Sequence, residues 1–167
     1  DAEEYLDLEE EYPAEENGYI LYYTVDSSYS LLKFAKELSK KTGLKVIHIG
    51  GNVLKNLKNR DPNFEYAVDI SPAKWLWLVH HARYVVTNSF HGTAFSIIYR
   101  KSFYLEYPWR AHSRIDQIVS LLAPSDPVIK EGVCEARDLD YSGVDNRLAH
   151  LRGESLDYLK KALGDSF

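Results

Sequence analysis

At 167 residues, 45% apolar and 27% charged, the chain has room for one buried core and the composition of an ordinary globular domain. Its net charge of −5 is uneven: residues 1–17 hold nine Asp/Glu and no Lys/Arg, so the rest carries 16 acids against 20 bases, a net of +4. Such a body suits a small anionic ligand and lacks the clustered basic footprint of a nucleic-acid binder.

No run of about 18 apolar residues occurs, so no membrane-spanning helix is expected. The acidic start, Asp1-Ala2-Glu3-Glu4, lacks the basic-then-apolar layout of a secretory signal. The single cysteine, Cys134, allows neither an intrachain disulfide nor a cysteine zinc cluster, and a reducing, cytoplasmic setting is expected. The chain has no methionine, even at position 1, so it is expected to be a piece of a longer protein.

In chain order, residues 1–17 read as an acidic, solvated linker ending at the turn-prone Asn17-Gly18. Gly18 to Val25 is β-branched and aromatic with little alternation, as in a strand covered on both faces. Asp26, Ser27 and Ser28 offer N-caps to a helix of about 14 residues, whose apolar face is Leu31, Phe34, Ala35 and Leu38. Lys40, Lys41 and Gly43 close it. Leu44 to Ile49 is the second strand. The Gly50-Gly51 pair after it either makes a turn or lets a ligand approach the backbone.

Residues 52–63 form a polar connection and Phe64 to Ile70 a third strand. Ser71-Pro72 opens a helix with a capping serine and a proline at the first helical position, and Trp75, Leu78, Val79 and Ala82 form its buried stripe. His80 and His81 end that helix. Adjacent helical residues point about 100° apart, a poor metal pair, and cations suit a helix C-terminus in any case, so no metal is assigned.

Tyr84 to Thr87 is a short buried strand, Asn88-Ser89 a polar elbow, and an apolar helix opens at His91. A strand running straight into a helix leaves free N–H groups at the junction with the positive end of the helix dipole behind them, an anion site. His91 and Thr93 add side-chain donors. An ordinary imidazole titrates at about 6.5, so His91 suits either a general acid or a cationic anion ligand; the plainer alternative is a packed side chain. Lys101 to Tyr107 is the fifth strand. A loop follows, with Arg110 and His112, and Ser113 is placed to cap a helix that buries Ile115, Ile118, Val119 and Leu122. Arg110 and Arg114 there either hold phosphate or carboxylate or simply pair with surface acids. Residues 123–150 read as irregular, and Glu154 to Leu163 as a last helix.

Strands alternating with amphipathic helices imply a Rossmann-like α/β fold, a parallel sheet flanked by helices with ligands at the carboxyl ends of its strands. There is no Gly-x-Gly-x-x-Gly, P-loop, His-Glu-x-x-His or Gly-x-Ser-x-Gly motif, which argues against dinucleotide redox chemistry, NTP hydrolysis and Ser89 as a hydrolase nucleophile.

The run from Ala82 to Ile97, Ala-Arg-Tyr-Val-Val-Thr-Asn-Ser-Phe-His-Gly-Thr-Ala-Phe-Ser-Ile, resembles the signature of the polysaccharide pyruvyl transferase family. Ser71-Pro72 and His112-Ser113-Arg114-Ile115-Asp116 fit the same pattern in the same order. The resemblance covers roughly residues 18–122, with Ser102 standing where a proline is expected. It implies the C-terminal half of a two-domain, glycosyltransferase-B-type enzyme. Residues 1–17 would then be the interdomain linker, 18–167 the Rossmann-like donor-binding domain, and the N-terminal domain would be absent. It implies transfer of pyruvate from phosphoenolpyruvate, the donor substrate, onto a saccharide acceptor in exopolysaccharide synthesis, with no cofactor. His91 would be the catalytic acid or a phosphate contact. Arg114 and then Arg110 would meet the donor's charges, and Asn88, Ser89, Gly92, Thr93 and Ser113 would shape the anion pocket. Half an enzyme should bind donor weakly and turn nothing over alone. Two rivals remain: the donor half of a sugar-nucleotide glycosyltransferase, and a non-catalytic glycan- or anion-binding domain.

Overall fold

The computed structural model describes residues 2–14, 18–50, 61–108, 112–122, 126–129 and 134–164. Its centre is a five-stranded, all-parallel sheet in the order β3-β2-β1-β4-β5. The strands are β1 (Ile20–Thr24), β2 (Val46–Gly50), β3 (Phe64–Tyr66), β4 (Tyr84–Thr87) and β5 (Ser102–Leu105). Helices α1 (Glu3–Leu6), α2 (Tyr29–Thr42), α3 (Pro72–His81), α4 (Phe90–Ile98), α5 (His112–Leu122) and α6 (Val144–Leu163) complete the described elements. This is the Rossmann-like α/β fold expected. β1 lies in the middle and the chain winds outward from it in both directions, so the order of strands reverses between β1 and β4. A crevice must open at the carboxyl ends of those two strands.

Both faces of the sheet are covered, which is why its strands read as continuous apolar runs. Ile20, Tyr22, Val46, Phe64, Tyr84, Val86 and Tyr104 face α2, which meets them with the expected stripe Leu31, Phe34, Ala35 and Leu38. Leu21, Ile47, Ile49, Val85, Phe103 and Leu105 face Leu76, Leu78, Val79, Ile97 and Ile115, from α3, α4 and α5. Ser28 caps α2 by accepting the Leu31 N–H, and Gly43 ends that helix in the left-handed region at φ 73°. Ser71 caps α3, with Pro72 in its first turn. Trp75 is only partly buried against this core, and the deep positions of α3 are Leu76, Leu78 and Val79.

Four expectations change. β3 stops at Tyr66 rather than Ile70, because Asp69 takes a left-handed backbone, φ 55°, and the chain turns across the strand ends. α5 begins at His112, so Ser113 lies inside its first turn and is not its cap. The last helix begins at Val144, ten residues before the reading from apolar spacing, because only Val144 of its twenty residues is buried and spacing had little to register.

Residues 2–14 are not a solvated stretch. Ala2, Tyr5, Tyr12 and Ala14 pack on the α3–α4 side of the core, and the Tyr5 ring meets Phe95 edge-on at 5.1 Å. The Glu10 N–H donates to the Ala73 carbonyl at 3.3 Å, and the Glu10 carboxylate pairs with Lys74 at 3.1 Å.

Candidate functional site

The β4-to-α4 elbow is built by side chains that the helix and sheet cannot do without. Thr87 donates its hydroxyl to the Tyr23 carbonyl at 2.7 Å and accepts the Ser89 N–H at 3.0 Å. Asn88 spans the gap at the strand-order reversal: its Oδ1 accepts the Val25 N–H at 3.0 Å and its Nδ2 donates to the Asp26 carbonyl at 2.9 Å. Ser89 caps α4 through the Gly92 N–H, and Thr93 donates back to the Ser89 carbonyl at 2.9 Å. Asn88, Ser89 and Thr93 are all buried and engaged in these bonds. They hold the elbow's shape, which presents α4 with the Phe90 and His91 N–H groups at its open end.

Gly92 is required for packing. A Cβ there would lie 2.4 Å from Thr87 Oγ1 and 3.1 Å from the Tyr23 ring, so the helix approaches β1 and β4 more closely than any side chain allows. Gly50 does the same at the end of β2. With φ 115°, a Cβ would come within 2.3 Å of the Thr24 carbonyl oxygen.

His91 behaves differently from its neighbours. It is exposed, and it stands on the rim of a cavity of about 740 Å³ at the carboxyl ends of β1 and β2. Tyr23 and Gly50 come from the strand ends, Asp69 and Ile70 from the β3–α3 connection, and Trp75 from α3. The Trp75 ring packs edge-on against Tyr23 and Phe95, with centroids 5.4 and 5.1 Å away, and its indole N–H is buried. Asp69, in its left-handed backbone, also lines this cavity. A non-glycine residue held at positive φ beside a cavity is strain of the kind that collects at functional sites.

A second cavity, about 440 Å³, opens on the other side of Asn88 between Asp26, Ser28, Glu106 and Tyr107. Carboxylates on two of its walls make it unsuited to an anion. The His91 cavity carries one carboxylate, Asp69, and sets against it the His91 imidazole and the start of α4.

Arg114, from α5, does not line this cavity: its guanidinium lies 5.6 Å from the Phe90 ring centroid, and the His91 ring meets Phe90 edge-on at 5.7 Å. Phe90 therefore carries a cationic side chain on one flank and an imidazole on the other. Ser113 is exposed in the first turn of α5. Arg110 lies outside the described residues.

Of the residues singled out in the sequence, His91 lines the cavity and Arg114 meets Phe90, while Asn88, Ser89, Gly92 and Thr93 are buried in the elbow as scaffold. Asp69, Tyr23 and Trp75 were missed as site residues. Trp75 read as core because it sits on the helix stripe, and Tyr23 because it sits mid-strand. Asp69 had one usable signal, its place just before the Ser71-Pro72 cap at a strand's carboxyl end.

The family model for polysaccharide pyruvyl transferase matches residues 2–106, close to two thirds of the chain and through the whole elbow. No curated protein matches the sequence. Among the described residues no helix is long and apolar enough to cross a membrane.

Proposed function

The chain belongs to the polysaccharide pyruvyl transferase family, and from that premise we propose that it is the donor-binding half of an enzyme that moves pyruvate from phosphoenolpyruvate to two hydroxyls of a sugar. The observation that carries the reading is the exposed His91 at the start of α4, on the rim of the cavity at the carboxyl ends of β1 and β2.

The reaction forms two C–O bonds and breaks one. A proton is added to the methylene carbon of phosphoenolpyruvate, which becomes the methyl group. A sugar hydroxyl attacks the adjacent carbon and loses its proton. The second hydroxyl then attacks that carbon, the C–O bond to phosphate breaks, and the second hydroxyl proton leaves with inorganic phosphate. No electrons are transferred, and no co-reactant is needed. His91 as the acid accounts for a titratable group at the mouth of an anion cavity. Arg114 and the leading N–H groups of α4 suit the donor's phosphate and carboxylate, whose charge must be held while the carbon becomes cationic. We assign the hydroxyl protons to Asp69 on the wall of the same cavity. The acceptor half and the second wall of the cleft belong to the N-terminal domain that this reading requires.

Titration with phosphoenolpyruvate, followed by melting temperature and tryptophan fluorescence, tests the donor site. A ligand that binds only the folded state raises the melt by mass action, so even a millimolar site is visible at saturating donor. The expected result is a shift with phosphoenolpyruvate that His91→Ala and Arg114→Ala each abolish and Asp69→Asn preserves. A shift produced by sugar nucleotides and not by phosphoenolpyruvate would replace this reading with that of a sugar-nucleotide transferase.

A further inference from the structure

At the end of the sheet opposite the His91 cavity, α3 finishes on His80 and His81, and Glu9 is brought to them from the segment before β1. Glu9 has a side chain only 8% exposed, and its two oxygens lie 3.0 and 3.1 Å from His80 Nδ1. One potential ligand atom from each of Glu9, His80 and His81 lies within 4.8 Å of the other two. Two atoms bound to the same tetrahedral zinc ion at about 2.0–2.1 Å are roughly 3.4 Å apart. The three therefore close on an ion if the exposed His81 ring moves by up to about 1.4 Å.

The imidazoles are already held as metal ligands are held. His81 Nδ1 lies 2.9 Å from the Trp77 carbonyl, which can only accept, so that nitrogen carries the hydrogen and Nε2 keeps its lone pair. The His81 ring stacks on Trp77 with centroids 4.1 Å apart and planes 17° apart, and His80 stacks on Tyr99 at 4.7 Å and 15°. Those stacks bring the two histidine rings to a centroid separation of 4.6 Å, closer than an unconstrained adjacent pair on a helix would suggest. The carbonyl end of α3 adds its negative partial charge. The arginines that share the His81 cleft, Arg83 and Arg100, are matched by Asp138 and Asp145 at 2.8 and 2.6 Å.

We propose that Glu9, His80 and His81 form a three-ligand site for a zinc-class divalent ion, which fastens the N-terminal segment to the end of α3. Two imidazoles and one carboxylate select transition ions over Mg²⁺ and Ca²⁺, whose sites are built from oxygen. The site lies away from the His91 cavity and stands independently of the donor-binding reading.

Calorimetry with Zn²⁺ and visible spectroscopy with Co²⁺ on the whole chain, stripped with EDTA, decide it. The expected result is one equivalent of Zn²⁺, a Co²⁺ ligand-field spectrum, and a higher melting temperature with Zn²⁺ but not with Mg²⁺. His81→Ala changes an exposed residue, so it should melt like the parent in EDTA while losing Zn²⁺ affinity at least about tenfold. His150→Ala, on exposed α6, should bind as the parent does. Parent-like Zn²⁺ binding by His81→Ala, or no saturable binding by the parent, overturns the site.

Discussion

His48 shows how much one residue's surroundings decide. It lies fully buried on β2, its ring 4.6 Å from that of Tyr22 and 5.6 Å from that of Tyr66, and neither ring nitrogen has a hydrogen-bond partner. Burial pushes its pKa down to about 4, because an imidazolium there would have no counter-charge and no water. The unfolded chain takes up a proton at this position at about pH 6.5, the folded chain only near 4. Folding is unaffected above pH 6.5 and loses stability as pH falls through that window, by about 1.4 kcal/mol per unit and roughly 3 kcal/mol in total. Urea unfolding at pH 7 and pH 4.5 should therefore show a loss on acidification larger by about 2–3 kcal/mol in the parent than in His48→Leu. Equal losses would mean that His48 is hydrated or paired in solution. His91 and His48 are both single histidines among apolar neighbours in the sequence. Only the elbow that follows Thr87 distinguishes the exposed one from the buried one, and that signal was readable.

Among the elements, the N-terminal segment departs most from its composition. Nine acids in seventeen residues read as solvated chain, yet the apolar minority of the segment does the docking: Tyr5 on Phe95, and Tyr12 with its hydroxyl donating to Glu65. The acids are used too, Glu9 on His80 and Glu10 on Lys74. Charge density hid this because the partners of Glu9 and Glu10 lie some sixty to seventy residues away, beyond the reach of any local pattern. Removing the segment should uncover Trp75, Phe95 and Tyr99. Two partly buried tyrosines and their ring contacts are worth roughly 2–4 kcal/mol. A chain starting at Gly18 should accordingly melt about 5–15 °C lower. An unchanged melt would return the segment to the status of a linker. The helices and strands around the elbow were legible for the opposite reason: Ser28, Gly43, Ser71-Pro72 and Ser89 are local signals, and each is used where it stands.

For the whole molecule, alternating strands and helices were enough to infer the parallel sheet and the edge at which the cavity opens. The order β3-β2-β1-β4-β5 follows from handed crossovers that leave no mark in composition. The C-terminal helix marks the limit of such reading, since it is barely part of the core. Beyond Val144 its apolar side chains stand largely in solvent, Leu156 at 49%, Leu159 at 50% and Leu163 at 59% exposed. Gly153 interrupts it with open space around its α-carbon, at a cost of about 1 kcal/mol in helix propensity. Its anchors, Val144 and the Asp145–Arg100 pair at 2.6 Å, lie in its first turn. A helix whose described anchors lie at one end adds little to global stability, because its outer turns fray independently of the core. A chain ending at Arg152 should thus keep its cooperative transition and melt within about 2 °C of the parent. A fall beyond about 5 °C would show that the exposed leucines of α6 cover part of the core in solution.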